Sequence, residues 1–280
     1  MMISTADIER SVRLALEEDV GPGDLTALLV PAQQRANARL TSREEAVLCG
    51  CAWFEACFRL VDDEIRIDWH AREGDRIQPG QLLCELHGRA RSLLTAERNA
   101  MNFLQTLSAV ATVTRRYVDA VAGTHAAILD TRKTLPGLRL AQKYAVTVGG
   151  GQNQRFGLYD GILIKENHIA AAGGILPVLQ AARQAGGGAP VQIEVETLEQ
   201  LHTALDAGAK LVLLDNFTPE QMREAVALNA GRALLEASGG IDLAQVRAVA
   251  ETGVDRISIG ALTKHVHAVD LSMRLDVAAP

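Results

Sequence analysis

Residues 191–216 read VQIEVETLEQLHTALDAGAKLVLLDN, and this run decides the fold. An apolar stretch, VQIEVE (191–196), gives way to TLEQLHTALDAG (197–208), where apolar residues fall at helical spacing and a late glycine suits a helix C-cap. A second apolar stretch, KLVLLD (210–215), follows at once. Strand, helix and strand at this spacing are the repeating unit of a parallel sheet.

The same alternation extends in both directions. Further strands are expected at AAILD (126–130), GILIK (161–165), RALLEAS (232–238) and DRISIG (255–260), with helices over PVLQAARQAGGG, TPEQMREAVALNAG and DLAQVRAVAETG. Upstream the texture differs. Residues 35–87 alternate short strands with one helix, and EGDRIQPGQLLCELHG (73–88) reads as strand, turn and strand, similar to the hammerhead of biotinyl and lipoyl carriers. The first lysine in the chain is Lys133, so a carrier function for that segment is excluded. Residues 90–121 carry helical spacing without Pro or Gly, which predicts one long helix or a broken pair bridging to a second domain.

Composition narrows the function classes. Of the 280 residues, 48% are hydrophobic, 22% charged and 4% aromatic, as in a soluble α/β protein rather than a disordered or fibrous one. Basic residues number 28 against 34 acidic, and the resulting charge of −6 favours neither nucleic acid nor an anionic membrane. MMISTADIERSVRLALEEDV reads as an acidic amphipathic helix rather than a signal peptide, and no run of about 18 apolar residues predicts a membrane span. Cys49, Cys51, Cys57 and Cys84 lack a structural zinc spacing and are expected to be free thiols, so the chain reads as cytosolic.

The chemistry stands at the C-terminal ends of the strands. In order these ends carry Arg132 with Lys133, then Lys165 with Glu166, Asn167 and His168, then Glu194 and Glu196, Asp215 with Asn216, Glu236 with Ser238-Gly239-Gly240, and Gly260-Ala261. A β/α barrel gathers such positions on one face, and an open doubly wound sheet gathers them at one edge. Several fixed cations beside several carboxylates suit a polyanion held partly through Mg²⁺, with guanidinium forks available for a carboxylate co-substrate. The Ser-Gly-Gly and Gly-Ala turns suit a terminal phosphate.

Plainer readings stand beside these. Lys165 alone is as readily a structural ion pair, and one of Glu194 and Glu196 is expected to be an ion-pair partner. His265 and His267 in TKHVH are spaced i, i+2, on different faces of a helix, which argues against a metal site. GGGQNQRFGLYD (149–160) is too rich in glycine and polar residues for a helix, so it is expected to be a loop that places Arg155.

The segments EDVGPGDLT, TAERNAMNFLQTLSAVAT, DTRKTLPGLR, GGGQNQRFGLYDGILIKENHI, IEVE, LLDN, EASGGI and TGVDRISIGALTKHVHAVDLSM resemble the quinolinate phosphoribosyltransferase family nearly end to end. The resemblance implies an N-terminal α/β sandwich (1–112, with a tail at 268–280 packing back on it) and a C-terminal incomplete, TIM-like α/β barrel (113–267). It also implies a cytoplasmic homodimer with sites at the interface. The implied reaction joins phosphoribosyl pyrophosphate to quinolinate with loss of pyrophosphate and CO₂, giving nicotinate mononucleotide for NAD synthesis.

Carried over by motif, Arg98 reaches in from the partner subunit to join Arg132, Arg155 and Lys165 around the quinolinate carboxylates. Lys133 lies between quinolinate and the sugar phosphates. Glu194 and Asp215 face the ribose and the Mg²⁺-bound diphosphate, and Ser238, Gly239, Gly240, Gly260 and Ala261 cradle the 5′-phosphate. Displacement of pyrophosphate at a ribosyl carbon followed by decarboxylation needs no covalent nucleophile.

One position departs from the family pattern. Asn153-Gln154-Arg155 stands where the family usually has Asn-His-Arg, so a quinolinate-pocket histidine is here a glutamine. This predicts retained activity with quinolinate binding weaker by roughly 1–2 kcal/mol, as when a charged hydrogen bond becomes neutral. Three other readings compete: a Schiff-base aldolase using Lys165, a phosphoribosyltransferase with another acceptor such as nicotinate, and a non-catalytic binding module.

Overall fold

The computed structural model describes residues 3–277 and divides into two compact units. One takes the chain up to Val113, Leu135–Gly149 and everything from His265 on, and the other takes Thr114–Thr134 and Gly150–Lys264.

In chain order the first unit contributes α1 (Thr5–Val20), β1 (Arg35–Ser42), β2 (Ala46–Val47), α2 (Cys51–Val61), β3 (Arg66–Trp69), β4 (Arg76–Ile77), β5 (Leu82–Arg89) and the start of α3 (Ala90–Ala120). The period of two in β1 is visible in its burial. Ala36, Ala38, Leu40 and Ser42 are buried while Arg35, Asn37 and Arg39 face out, so one face of the sheet carries the core. Onto this core α2 turns Phe54, whose ring lies 5.0 Å from Phe58 and 5.4 Å from Trp69 of β3. Each such buried aromatic contributes about 1.5–3 kcal/mol.

The first turn of α2 is satisfied from far along the chain. Gly50 and Cys51 donate their N–H groups to the two oxygens of Glu73, at 2.8 and 3.0 Å, which places a carboxylate against the positive end of the helix. The segment that supplies Glu73 does not form a hairpin ladder: β4 pairs with β2, whereas β5 pairs with β1 and β3. The 90–121 segment forms one unbroken helix. All four cysteines are free, and burial pushes the Cys57 thiol up to about 12.

The second unit continues with β6 (Ala127–Leu129), and the chain then lends α4 (Arg139–Val148) to the first unit before returning. β7 (Ile162–Ile164), α5 (Glu166–Ala171), α6 (Ile175–Ala185), β8 (Val191–Val195), α7 (Leu198–Asp206) and β9 (Leu211–Asp215) follow. They lead into α8 (Pro219–Asn229), β10 (Leu234–Ser238), α9 (Val246–Ala250), β11 (Arg256–Ser258) and α10 (Ala261–Lys264). All pairs in the sheet are parallel, in the order β6-β11-β10-β9-β8-β7. Strands separated by helices in this order make an incomplete α/β barrel, so the α/β class expected from residues 191–216 holds.

The helices start as the sequence asks. Thr218 caps α8, its hydroxyl accepting from Gln221 N at 3.3 Å while the Gln221 side chain returns the bond to Thr218 N at 2.8 Å. α9 is shorter than DLAQVRAVAETG suggests, because Asp242 takes the Gln245 N–H into a turn before the helix begins. α10 stops at Lys264, so His265 and His267 lie beyond it, both exposed. Among the described residues no three His, Cys, Asp or Glu side chains gather where a metal could sit, and no helix is long and apolar enough to cross a membrane. Finally β12 (Leu271–Val277) runs antiparallel to β1, completing the order β12-β1-β5-β3 in the first unit.

The outer edge of β6 carries no further strand of the sheet. It is closed instead by the loop that follows α4: Gln152 N donates to Ile128 O at 2.8 Å and accepts, through its own carbonyl, from Asp130 N at 3.1 Å. An open edge is thereby sealed by extended backbone, and the same loop continues into β7 at the other edge.

Candidate active site

Because every strand of the second unit's sheet is parallel, all six C-terminal ends open on one side, and alternate residues of each strand face the same interior. A cavity of about 190 Å³ lies there. Arg132, Lys133, Gln154, Arg155, Lys165, Glu194 and Ser238 all line it, so seven of the residues expected at the site are brought together within one unit. Asp215, Gly239, Gly240, Gly260 and Ala261 stand at neighbouring strand ends, while Arg98 lies on α3 in the other unit and does not line this cavity.

The loop carrying Asn153-Gln154-Arg155 is fixed from below by Asp130, which is fully buried at the end of β6. Its carboxylate accepts from Asn153 Nδ2 at 2.6 Å and from Gln154 N at 2.8 Å. Arg155 then donates through one guanidinium nitrogen to Gly161 O at 2.9 Å, and Asp160 closes the turn by accepting from Phe156 N and Gly157 N. Burial, and after it the charge of Arg132, lowers the Arg155 pKa. Two like-charged guanidinium groups held near one another would be relieved by a planar dianion.

Lys133 is fixed by its backbone and its stem. Its N–H donates to Thr131 Oγ1 at 3.0 Å and its carbonyl accepts from Thr263 Oγ1 at 2.8 Å. A Cβ added at Gly260 would come within 3.2 Å of Lys133 Cδ, a tight contact that the bare glycine avoids. Lys165, at the end of β7, donates to both oxygens of Glu194 at 3.0 and 3.3 Å. Glu194, the partner of Lys165, is buried, and Glu196 is exposed. Burial raises the Asp215 pKa, with Lys165 pulling the other way.

At the end of β10, Ser238 O accepts from Asn216 N at 2.9 Å, and Gly239 follows at φ +115°. A Cβ there would meet Asn216 Oδ1 at 2.3 Å, so the turn is packed to the backbone itself. Gly240 also has positive φ but opens on empty space.

Reasoning from sequence gave no role to three side chains here, although Glu236 stood among its strand-end residues. Gln192 on β8 and Glu236 on β10 stand two residues before Glu194 and Ser238, on the same inward faces, and Glu236 lines the cavity. Asp130 was read only as a strand end. The period of two was the available signal: the interior residue below each recognised one belongs to the same layer. Gln154 is held by this layer. Its Nε2 donates to both Glu236 oxygens at 2.5 Å and to Gln192 Oε1 at 3.2 Å.

The chain is similar to known proteins along nearly its whole length. Residues 110–274 match the description "Quinolinate phosphoribosyl transferase, C-terminal domain", and residues 24–108 match "Quinolinate phosphoribosyl transferase, N-terminal domain". A Bacillus subtilis protein named probable nicotinate-nucleotide pyrophosphorylase (carboxylating) is 44% identical over 257 residues, covering 91% of this chain and 89% of that one. Nicotinate-nucleotide pyrophosphorylase (carboxylating) of Mycobacterium leprae is 43% identical over 275 residues, covering 95% and 96%. Among solved structures, the nicotinate-nucleotide pyrophosphorylase of Francisella tularensis superposes with a TM-score of 0.95 at 43% identity, covering 98% of each chain.

Proposed function

Since the chain belongs to the quinolinate phosphoribosyltransferase family, we propose that the strand-end cavity is where it transfers phosphoribosyl from phosphoribosyl pyrophosphate to quinolinate, releasing pyrophosphate and CO₂ and forming nicotinate mononucleotide for NAD biosynthesis. The observation that carries the reading is the convergence of Arg132, Lys133, Arg155 and Lys165 on one cavity whose rim also holds Glu194 and Ser238.

In this reading Arg132 and Arg155 grip the two carboxylates of quinolinate, and Lys165 stands beside them. Lys133, fixed through its stem against Gly260, faces both the acceptor and the phosphates. The turn Ser238-Gly239-Gly240, with Gly260 and Ala261, receives the 5′-phosphate through backbone N–H groups. Positively charged groups held in place before the reaction stabilise the charge that leaves with pyrophosphate, and the fixed acceptor aligns its ring nitrogen with the ribosyl carbon. Loss of the carboxylate next to that nitrogen then leaves a carbanion on the ring, which takes up a proton.

Glu194 and Asp215, at the ends of β8 and β9, offer hard oxygen donors. That donor set fits Mg²⁺, which is commonly held by one or two carboxylates together with substrate phosphate oxygens. When bound it neutralises charge on the diphosphate, and Glu194 and Asp215 are the residues that would hold it.

A homodimer completes the site in this reading, with Arg98 supplied by the second copy. Support comes from the surface beside it. Leu25 is 80% exposed, Leu28 62% and Leu29 83%, on a segment tied to α3 by Thr95 Oγ1 to Asp24 at 2.8 Å and Arg91 Nε to Val30 O at 2.6 Å. Leu94 and Arg98, one helical turn apart on α3, are exposed next to that segment. If Arg98 crosses to the partner, refolding Arg98→Ala together with Arg155→Ala should restore about a quarter of parental activity, because half the dimers are mixed and each has one intact site. No recovery would remove Arg98 from the partner's site. Free, largely buried thiols accord with a cytoplasmic location.

The aldolase reading is disfavoured by Lys165 itself. A Schiff-base lysine must present its amine to a carbonyl carbon, whereas Lys165 Nζ is engaged with both oxygens of Glu194. The deciding experiment incubates the protein with phosphoribosyl pyrophosphate, Mg²⁺ and either quinolinate or nicotinate, following CO₂ and nicotinate mononucleotide together. Equal formation of both products from quinolinate is expected. Turnover of nicotinate alone would reassign the acceptor.

A further inference from the structure

At the wall of the cavity lies a cluster, Glu236 with Gln154 and Gln192, to which the reaction as described gives no role. Glu236 on β10 is 1% exposed, and neutral amides meet its charge. Gln154 Nε2 approaches each of its oxygens at 2.5 Å and Gln192 Nε2 donates at 3.0 Å. The Gln154 amide also faces Gln192 Oε1 at 3.2 Å, so both of its N–H groups are engaged by protein acceptors. Ser258 adds a side-chain bond, and Arg256 on β11 contributes at longer range; burial raises the Glu236 pKa in spite of them.

A carboxylate buried among amides decides which way those amides face. A glutamine side chain is nearly symmetric in shape, and turning its amide over exchanges a carbonyl for an NH₂. Beside Glu236 only one orientation leaves no buried acceptor unsatisfied, with N–H toward the carboxylate and the carbonyl turned away. Gln154 is thus held at two points, its backbone N–H by Asp130 at 2.8 Å and its amide by Glu236, and Arg155 follows it directly in the chain.

We propose that Glu236 is a positioning residue for the acceptor pocket, acting through Gln154 to fix the floor against which quinolinate and Arg155 are set. This rests on the assignment of quinolinate as acceptor. A rival role is purely electrostatic and has the opposite sign: removing a negative charge from behind an anion pocket would, by Coulomb attraction alone, tighten quinolinate binding.

The test is a double-mutant cycle of Glu236→Gln and Gln154→Ala, with KM for each substrate and kcat measured separately. Glu236→Gln keeps the shape but lets either amide turn over, and it should raise KM for quinolinate about five- to tenfold, the worth of one hydrogen bond, with KM for phosphoribosyl pyrophosphate unchanged within about twofold. In the Gln154→Ala background the same change should add nothing further to KM, since the residue it acts through is gone. A fall or no change in KM for quinolinate, a matching rise for both substrates, or effects that multiply in the double variant would each overturn the proposal. If Glu236→Gln does not fold, Glu236→Asp, which draws the carboxylate back by one methylene, enters the same cycle with the same expected signs. The parent protein is assayed first: failure to turn over quinolinate there refutes the acceptor assignment, whereas a working parent with an additive cycle refutes only the role of Glu236.

Discussion

Arg155→Ala should lower kcat/KM for quinolinate by roughly 10²–10³, corresponding to about 3–4 kcal/mol for losing one partner of a desolvated, charge-assisted contact. The size follows from how the residue is held. Gly161 O occupies one guanidinium nitrogen, Asp130 anchors the backbone just before it, and burial with a like-charged neighbour, Arg132, already works against its charge. Such a group is in place before the ligand arrives, so its whole interaction is available to the acceptor rather than spent on ordering a loose side chain. Arg155→Lys should recover only part of the loss, because a single ammonium cannot form the bidentate fork. KM for phosphoribosyl pyrophosphate serves as the internal control and should move little. A loss smaller than about tenfold would mean that the acceptor is gripped elsewhere.

Gly239→Ala should act on both stability and phosphate binding. The position sits at φ +115°, where L side chains are strained by about 1–3 kcal/mol, and the added Cβ would lie 2.3 Å from Asn216 Oδ1 and 2.9 Å from Asn216 N. The side-chain oxygen can swing away; the backbone nitrogen cannot, because it donates to Ser238 O. A loss near 3 kcal/mol is expected, a fall in Tm of about 6–12 °C for a domain of this size. Displacing the turn should raise KM for phosphoribosyl pyrophosphate by about tenfold or more. Gly240→Ala is the matched control, strained at φ +60° but facing open space, and should cost only about 1 kcal/mol. Equal effects at the two positions would refute the steric argument.

Much of this arrangement was legible before any coordinates. Buried parallel strands are short apolar runs, helices between them end in glycine, and polar residues placed just after each run must emerge on one side. Those three regularities located Arg132, Lys133, Lys165, Glu194, Asp215 and Ser238. What they could not supply is pairing across the sheet. Glu236 and Gln154 are 82 residues apart, and nothing near either one indicates that the carboxylate engages the glutamine's amide. The glutamine was therefore read as a donor toward a ligand, although its N–H groups turn toward Glu236 and Gln192. The partners of β4 escaped for the same reason: a turn at Pro79-Gly80 is local information, whereas the choice of β2 over β5 depends on the whole unit. α9 fell short because Asp242 competes for the backbone that would have begun it.

The loop that seals β6 has an evolutionary reading. Its backbone hydrogen bonds to Ile128 and Asp130 keep the sheet edge from recruiting another chain, and the same loop sets the starting point of Arg155. A lineage drifting toward a new acceptor would find this the hardest segment to lengthen or reshape, since each change there risks an aggregation-prone edge as well as a misplaced guanidinium. Innovation should therefore enter by side-chain exchange at fixed backbone positions, and residue 154, whose backbone N–H is held by Asp130 whatever its side chain, is the kind of position that route permits.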